Sequence, residues 1–167
     1  DVAVIEFNDD ARVVQDFVPL AQLQSVSLEA IGCTAMGKGI NMAIDKVKER
    51  THLYSSMGTP AFKPWIFMIS DGAPTDDISA ARDRIRDEET KGEVGKLKFW
   101  AVGVPGFSKE VLTSLTKRCI ALDEADFTGI FNWLSDSMVR ISDSQVGTDN
   151  IKLADLPSNA QVIPSDW

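Results

Sequence analysis

The sequence predicts an α/β fold: a three-layer, doubly wound and mostly parallel sheet with one antiparallel edge hairpin. Three observations predict it. Two short runs, Trp65 to Ile69 and Leu97 to Val104, are almost wholly apolar, the pattern of strands buried on both faces. Between and after them lie stripes of apolar residues at helical spacing, and strands alternating with helices argue for a sheet covered on both sides. The opening residues form a β-prone pair broken by Asn8-Asp9-Asp10, a turn sequence. With 167 residues, 44% hydrophobic and 25% charged, the chain has the size and composition of one globular domain.

Taken in order, Val2 to Phe7 is an almost continuous β-prone run, and Arg12 to Val18 resumes it as the second strand of a hairpin at a sheet edge. Pro19 to Glu29 is irregular. A long amphipathic helix begins just after Thr34: Ile40, Ala43, Ile44, Val47, Thr51 and Tyr54 recur at helical spacing, with Lys46, Lys48, Glu49 and Arg50 mostly on the other side. Ser55 to Pro64 is a connecting loop. The apolar strand that follows ends at Ser70-Asp71-Gly72, and Ala73-Pro74-Thr75-Asp76 supplies a turn and an N-cap for a charged surface helix marked by Ile78, Ala81 and Ile85 and closing near Gly92.

In the strand Leu97 to Val104, Gly103 allows close backbone approach. Ser108 caps a short helix, and Cys119 to Leu122 is a short strand. From Asp126 a last helix carries Phe127, Ile130, Phe131, Leu134, Met138 and Ile141 as one apolar stripe. After Ser142 the pattern dissolves. Residues 1–142 therefore read as the domain and residues 143–167 as an extended tail that packs on it.

A formal net charge of −8, with bases interspersed among acids, argues against a broad nucleic-acid surface. No apolar run approaches the roughly 20 residues of a membrane-spanning helix. Cys33 and Cys119 make no CxxC pair and His52 stands alone, so neither a zinc site nor a disulfide framework is visible. Two small buried thiols in a reducing, cytoplasmic compartment are the expectation. The chain opens at Asp1 with a run that alternates like the middle of a domain, which raises the expectation of a further segment upstream.

The stretch Ile31 to Val47, IGCTAMGKGINMAIDKV, carries the chemistry. Gly32, Gly37 and Lys38 stand at the G-x-x-x-x-G-K spacing of a phosphate-cradling loop, yet Gly39 occupies the place where that motif needs a hydroxyl for Mg²⁺. The preceding residues SVSLEAI are only weakly strand-like, whereas such a loop follows a buried strand directly. A glycine-rich helix entry without a function is the plainer alternative. Asp71 shifts the balance. A carboxylate at the open end of a sheet costs stability unless something positive or hydrogen-bonding faces it, and Mg²⁺ accepts carboxylate, hydroxyl and water oxygens. Thr34 can offer such a hydroxyl; Asp71 alone can also be a turn residue that caps its own loop.

These residues resemble those of von Willebrand factor type A domains. IGCTAMGKGINMAIDKV is similar to their G-x-T-x-[hydrophobic]-G segment, and WIFMISDGAPTDD to their strand followed by [ST]-D-G. The hairpin VAVIEFNDDARVV, the strand LKFWAVGV and the helix DFTGIFNWL match in the same order, from Asp1 to about Ser142. The bacterial, tellurium-resistance-associated branch is the most similar. The resemblance implies a Rossmann-like fold and a metal-ion-dependent adhesion site holding Mg²⁺, Mn²⁺ or Ca²⁺. Thr34 would contribute its hydroxyl, Asp71 would act through water, and a carboxylate of a protein partner would complete the shell.

The D-x-S-x-S loop that supplies most direct ligands in that family, with the first strand and helix, is not found in this chain. That strand sits between the strands of DVAVIEF and WIFMIS, so both are expected to present unpaired edges. An N-terminal segment of about 30 to 40 residues, a strand and a helix, is expected in the native protein, either continuous or bound as a separate peptide.

The functional expectation is a non-enzymatic, cytoplasmic, metal-dependent protein-binding module of a bacterial stress or tellurite-resistance system, with no nucleic-acid or membrane partner. Two alternatives stand beside it. One is a phosphate-handling enzyme using Gly32 to Lys38 with Asp71 as its magnesium aspartate; the other is a structural domain whose metal site does not work. No nucleophile has a base beside it in the sequence pattern, and Asp76 and Asp77 can tune the rim or simply favour a helix N-terminus.

Overall fold

The apolar runs and helical stripes become four α-helices and six strands in a computed structural model, which describes residues 1–28, 32–91, 96–124, 127–148 and 151–165. In chain order these are β1 (Val2–Phe7), β2 (Ala11–Val18), α1 (Met36–Ser56), β3 (Trp65–Ser70), α2 (Ser79–Thr90), β4 (Lys98–Gly103), α3 (Lys109–Leu115), β5 (Cys119–Leu122), α4 (Phe127–Ser142) and β6 (Ala160–Ile163), with a 3₁₀ turn at Leu20–Gln22.

Four strands form one mixed sheet in the order β3-β4-β5-β6. β3 and β4 run parallel from Trp65 opposite Lys98 to Ser70 opposite Gly103, and β5 continues the parallel set with Cys119 opposite Ala101. β6 is antiparallel to β5, with Ile163 opposite Cys119. Helices cover both faces, as apolar strands of this kind demand. On one face Phe99, Ile44, Ile85, Leu112 and Leu115 are fully buried between the sheet and α1, α2 and α3.

On the other face Val102 and Ile120 of the sheet cluster with Ile130 and Trp133 of α4, together with Trp65, Phe67 and Trp100. Trp133 meets Trp100 edge-on with ring centroids 5.1 Å apart, and its indole N–H donates to the carbonyl of Ala154 at 2.9 Å. That bond removes the penalty of burying an indole N–H among apolar rings. Cys119 is buried, and burial pushes its thiol up to about 11. Glu89 accepts from the Phe99 N–H at 2.8 Å and from the Arg118 guanidinium, so this inward-turned carboxylate is partnered.

Several expectations need correction. The hairpin β1–β2 is not the edge of a single sheet: it is a two-stranded sheet of its own, packed on α1. The antiparallel edge of the main sheet is β6, which comes from the segment expected to be an extended tail. The stripe on α4 is also different. Phe127 and Phe131 are exposed, whereas Ile130, Trp133, Ser137 and Ile141 are the buried residues. Ser137 is accommodated because the Ala154 N–H donates to its hydroxyl at 3.2 Å. Cys33, expected to be buried, is exposed. No helix among the described residues is long and apolar enough to cross a membrane.

Candidate functional site

The parallel strands β3 and β4 end at the same side of the molecule as the start of α1, and the loops there interlock. Asn8, at the end of β1, accepts the Ala35 N–H at 2.7 Å, and the Asp9 carboxylate accepts the Cys33 N–H at 2.7 Å. The Thr34 N–H donates to the Thr75 hydroxyl at 3.1 Å, and the Thr75 N–H donates back to the Thr34 carbonyl at 2.9 Å. This reciprocal pair ties the loop before α1 to the loop after β3. The Thr34 hydroxyl oxygen stands 3.3 Å from the point that a Cβ on Gly72 would occupy, so it lies against the residue that follows Asp71. A third loop closes on the same place: a Cβ on Gly106, at φ +104°, would stand 3.3 Å from the Asp71 carbonyl oxygen. Asp71 itself is exposed.

Helix α1 begins without a cap of its own, since Ala35 at the N-cap position has no side-chain acceptor. Asp76 supplies one from the other loop. Its carboxylate accepts the Gly37 and Lys38 N–H groups, each at 3.0 Å, and so satisfies donors that the first turn leaves open. The expectation that Asp76 caps α2 is therefore replaced: Asp76 serves α1, and it is Asp77 that accepts the Ser79 N–H at the start of α2, at 2.8 Å. Hydrogen bonds from Ser79 hold the Asp77 carboxyl below the usual range.

The loop's phosphate-like spacing now has a physical explanation of another kind. A Cβ on Gly37 would stand 2.7 Å from the Asp77 carbonyl oxygen, and one on Gly39 would stand 2.9 Å from the Phe7 ring. Both glycines are set by close approach, one to the neighbouring loop and one to the hairpin. Lys38 is 57% exposed and reaches the Asp10 carboxylate at 3.0 Å. The Lys38 ammonium and the Ala11 N–H in turn hold the Asp10 carboxyl below its ordinary value. The amides that would cradle a phosphate already hold a carboxylate.

Thr34 and Asp71 thus lie in one loop cluster, at the strand ends where open α/β sheets bind ligands. Their oxygens suit Mg²⁺ or Mn²⁺ in kind, and in number they are two of the roughly six that Mg²⁺ takes. Among the described residues, no three His, Cys, Asp or Glu side chains are grouped so as to hold a metal ion. Sequence reasoning singled out Thr34 and Asp71 as candidates and missed Thr75, which ties the Thr34 loop to the loop after β3. No periodic signal marks a bond between residues 41 positions apart.

No family model, curated protein or solved structure matches the chain. The functional reading therefore stands on the geometry of this rim and on the residues that build it.

Proposed function

We propose that the chain is a non-catalytic protein-binding module of the von Willebrand factor type A kind, in a bacterial cytoplasmic stress or tellurite-resistance setting. In this reading Thr34 and Asp71 help to hold a divalent cation, and a carboxylate of the protein partner enters its coordination shell. The remaining oxygens come from water. The bound ion would supply a positive charge at an otherwise acidic rim, which gives a partner's carboxylate something to bind.

The observation that carries the reading is the position of the Thr34 hydroxyl against Gly72, directly beside Asp71, at the carboxyl end of β3. The capping of α1 by Asp76 weighs against the phosphate-handling alternative, because a phosphate would have to displace a carboxylate from the Gly37 and Lys38 N–H groups.

Titration of Mn²⁺ into the isotopically labelled chain tests it. Paramagnetic broadening is expected first at the amides of Thr34 and Gly72, is lost in Thr34→Ala and Asp71→Asn, and persists in Lys38→Ala. Broadening that ignores Thr34 and Asp71 overturns the reading. ADP binding that vanishes in Lys38→Ala would install the phosphate alternative in its place, and no broadening at the rim would assign a structural domain with a silent site.

A further inference from the structure

At the end of the main sheet opposite the rim, where β3 and β4 begin, lies a cavity of about 380 Å³. Lys96 and Lys98 at the entry of β4, Ile141 at the end of α4 and Val146 beyond it form walls that the gap beside β1 does not share. The turn after α1 supplies another wall. Gly58, at φ +67°, ends the helix with its N–H on the Ser55 carbonyl at 3.1 Å and the Thr59 N–H on the Tyr54 carbonyl at 2.9 Å, and residues 59–64 then line the cavity on their way to β3.

The charge of this place is opposite to that of the chain. Lys63, Lys96 and Lys98 line the cavity, and no Asp or Glu stands among its described lining residues, in a sequence with 25 acids against 17 bases. The C-terminal ends of α1 and α4 also reach it, through Ser55 and Ile141, and each brings about half a negative charge, so the helix ends account for only about one of the three positive charges. A balance of about two positive charges suits a dianion. The Lys98 ammonium stands 5.7 Å from the centre of the Trp65 ring. Each ammonium has three N–H donors, so a contact within the protein leaves others for a ligand.

The rest of the lining is of two kinds. Thr51, Ser55 and Thr59 bring hydroxyls, and that of Thr51, which donates to the Val47 carbonyl at 2.8 Å, keeps an oxygen able to accept. Phe62 and Trp65 bring aromatic rings. We propose that the cavity binds a small phosphate monoester carrying a planar ring, of the size of a nucleoside monophosphate. The phosphate, close to two negative charges at neutral pH, faces the lysines; the ring lies against Phe62 and Trp65; sugar hydroxyls meet Thr51, Ser55 and Thr59. The volume falls in the range of small-molecule sites. Inorganic phosphate would answer the charge and leave the aromatic wall wet, and a neutral nucleoside would cover that wall and leave the lysines unanswered. The inference does not rest on the metal reading, whose residues lie at the other end of the sheet.

The probe is adenosine monophosphate, titrated without divalent cations into the isotopically labelled 167-residue chain, with adenosine and inorganic phosphate as controls at equal ionic strength. Amide shifts are expected at Trp65, Lys98 and Thr148, and each control is expected to bind about tenfold more weakly or worse, since each forgoes one set of contacts. Lys96 is exposed, so Lys96→Ala leaves the fold intact; it and Lys98→Gln are each expected to weaken the monophosphate by about tenfold, with a cooperative melt retained. Lys38→Ala, at the rim, is expected to change nothing.

Equal affinity for the monophosphate and for inorganic phosphate overturns the proposal, because it would show a diffuse attraction for anions. Shifts centred on Gly37 and Lys38 that vanish in Lys38→Ala also overturn it and move the phosphate to the rim. So does the absence of any shift at millimolar monophosphate, or binding that survives in both Lys96→Ala and Lys98→Gln.

Discussion

Strands β5 and β1 are both short and apolar, yet every residue of β5 is buried and in β1 only Glu6 is. Glu6 has to be satisfied there by Arg12 of the same hairpin, at 2.6 Å. The difference does not lie in the residues. β5 has a strand on each side and a packed layer on each face, whereas β1 has β2 on one side, α1 on one face and a cavity on the remaining side. Equal hydrophobicity yields unequal burial when the neighbours differ, and the two halves of the molecule should differ in stability accordingly.

The largest test of that contrast is a pair of truncations. Phe99→Ala, in the fully buried core beneath the main sheet, is expected to cost about 3–5 kcal/mol in urea unfolding. Val4→Ala, in the half-buried hairpin strand, is expected to cost about 1 kcal/mol or less. Equal losses would mean that the hairpin is as well packed as the sheet and would remove the basis of the comparison.

An intermediate effect is expected where the two halves are joined. Asp76→Ala removes the acceptor of the Gly37 and Lys38 amides and should cost about 1–2 kcal/mol, with Asp76→Asn recovering part of it. Amide shifts should move at Thr34 and Thr75 in the same variant, since both loops depend on the bond. A loss confined to α1 would show that the loops are held independently.

The smallest effect belongs to the exposed face of the hairpin. The hydrogen bond from Lys46, and then that from the Phe17 N–H, lowers the Asp16 carboxyl below its ordinary value of 3.8 in the folded state. The contribution of that carboxylate is therefore present above the unfolded value and is lost as pH falls through the folded one. Asp16→Asn should lower stability slightly near neutrality and flatten the acid limb of a melting-temperature profile below about pH 4. An unchanged acid limb would show that the pair is fully screened by solvent.

The same contrast explains what was legible in the sequence. β3 and β4 were legible because strands buried on both faces are continuous apolar runs, and α1 because its stripe is long. α4 was legible as a helix and misread as a surface. Hydropathy put Phe127 and Phe131 inward, while the sheet is met by Trp133 and by Ser137, whose hydroxyl takes a backbone donor that no periodicity reveals. β6 escaped notice because four residues of mixed polarity become a strand only once β5 offers them an edge. At the rim, Thr34 and Asp71 were marked by local motifs. Asp76 was weighed there as a rim or helix-start residue, but its capping of α1 was not legible, because its partners lie 39 and 38 positions away.

One carboxylate joining the entry of α1 to the loop beyond β3 has a thermodynamic consequence. Neither segment can fray without releasing the other, so the entropy of ordering both is lost once, when the chain folds. A molecule arriving at that rim then meets loops already in place, and its association keeps free energy that two independent, wandering loops would have consumed at every encounter.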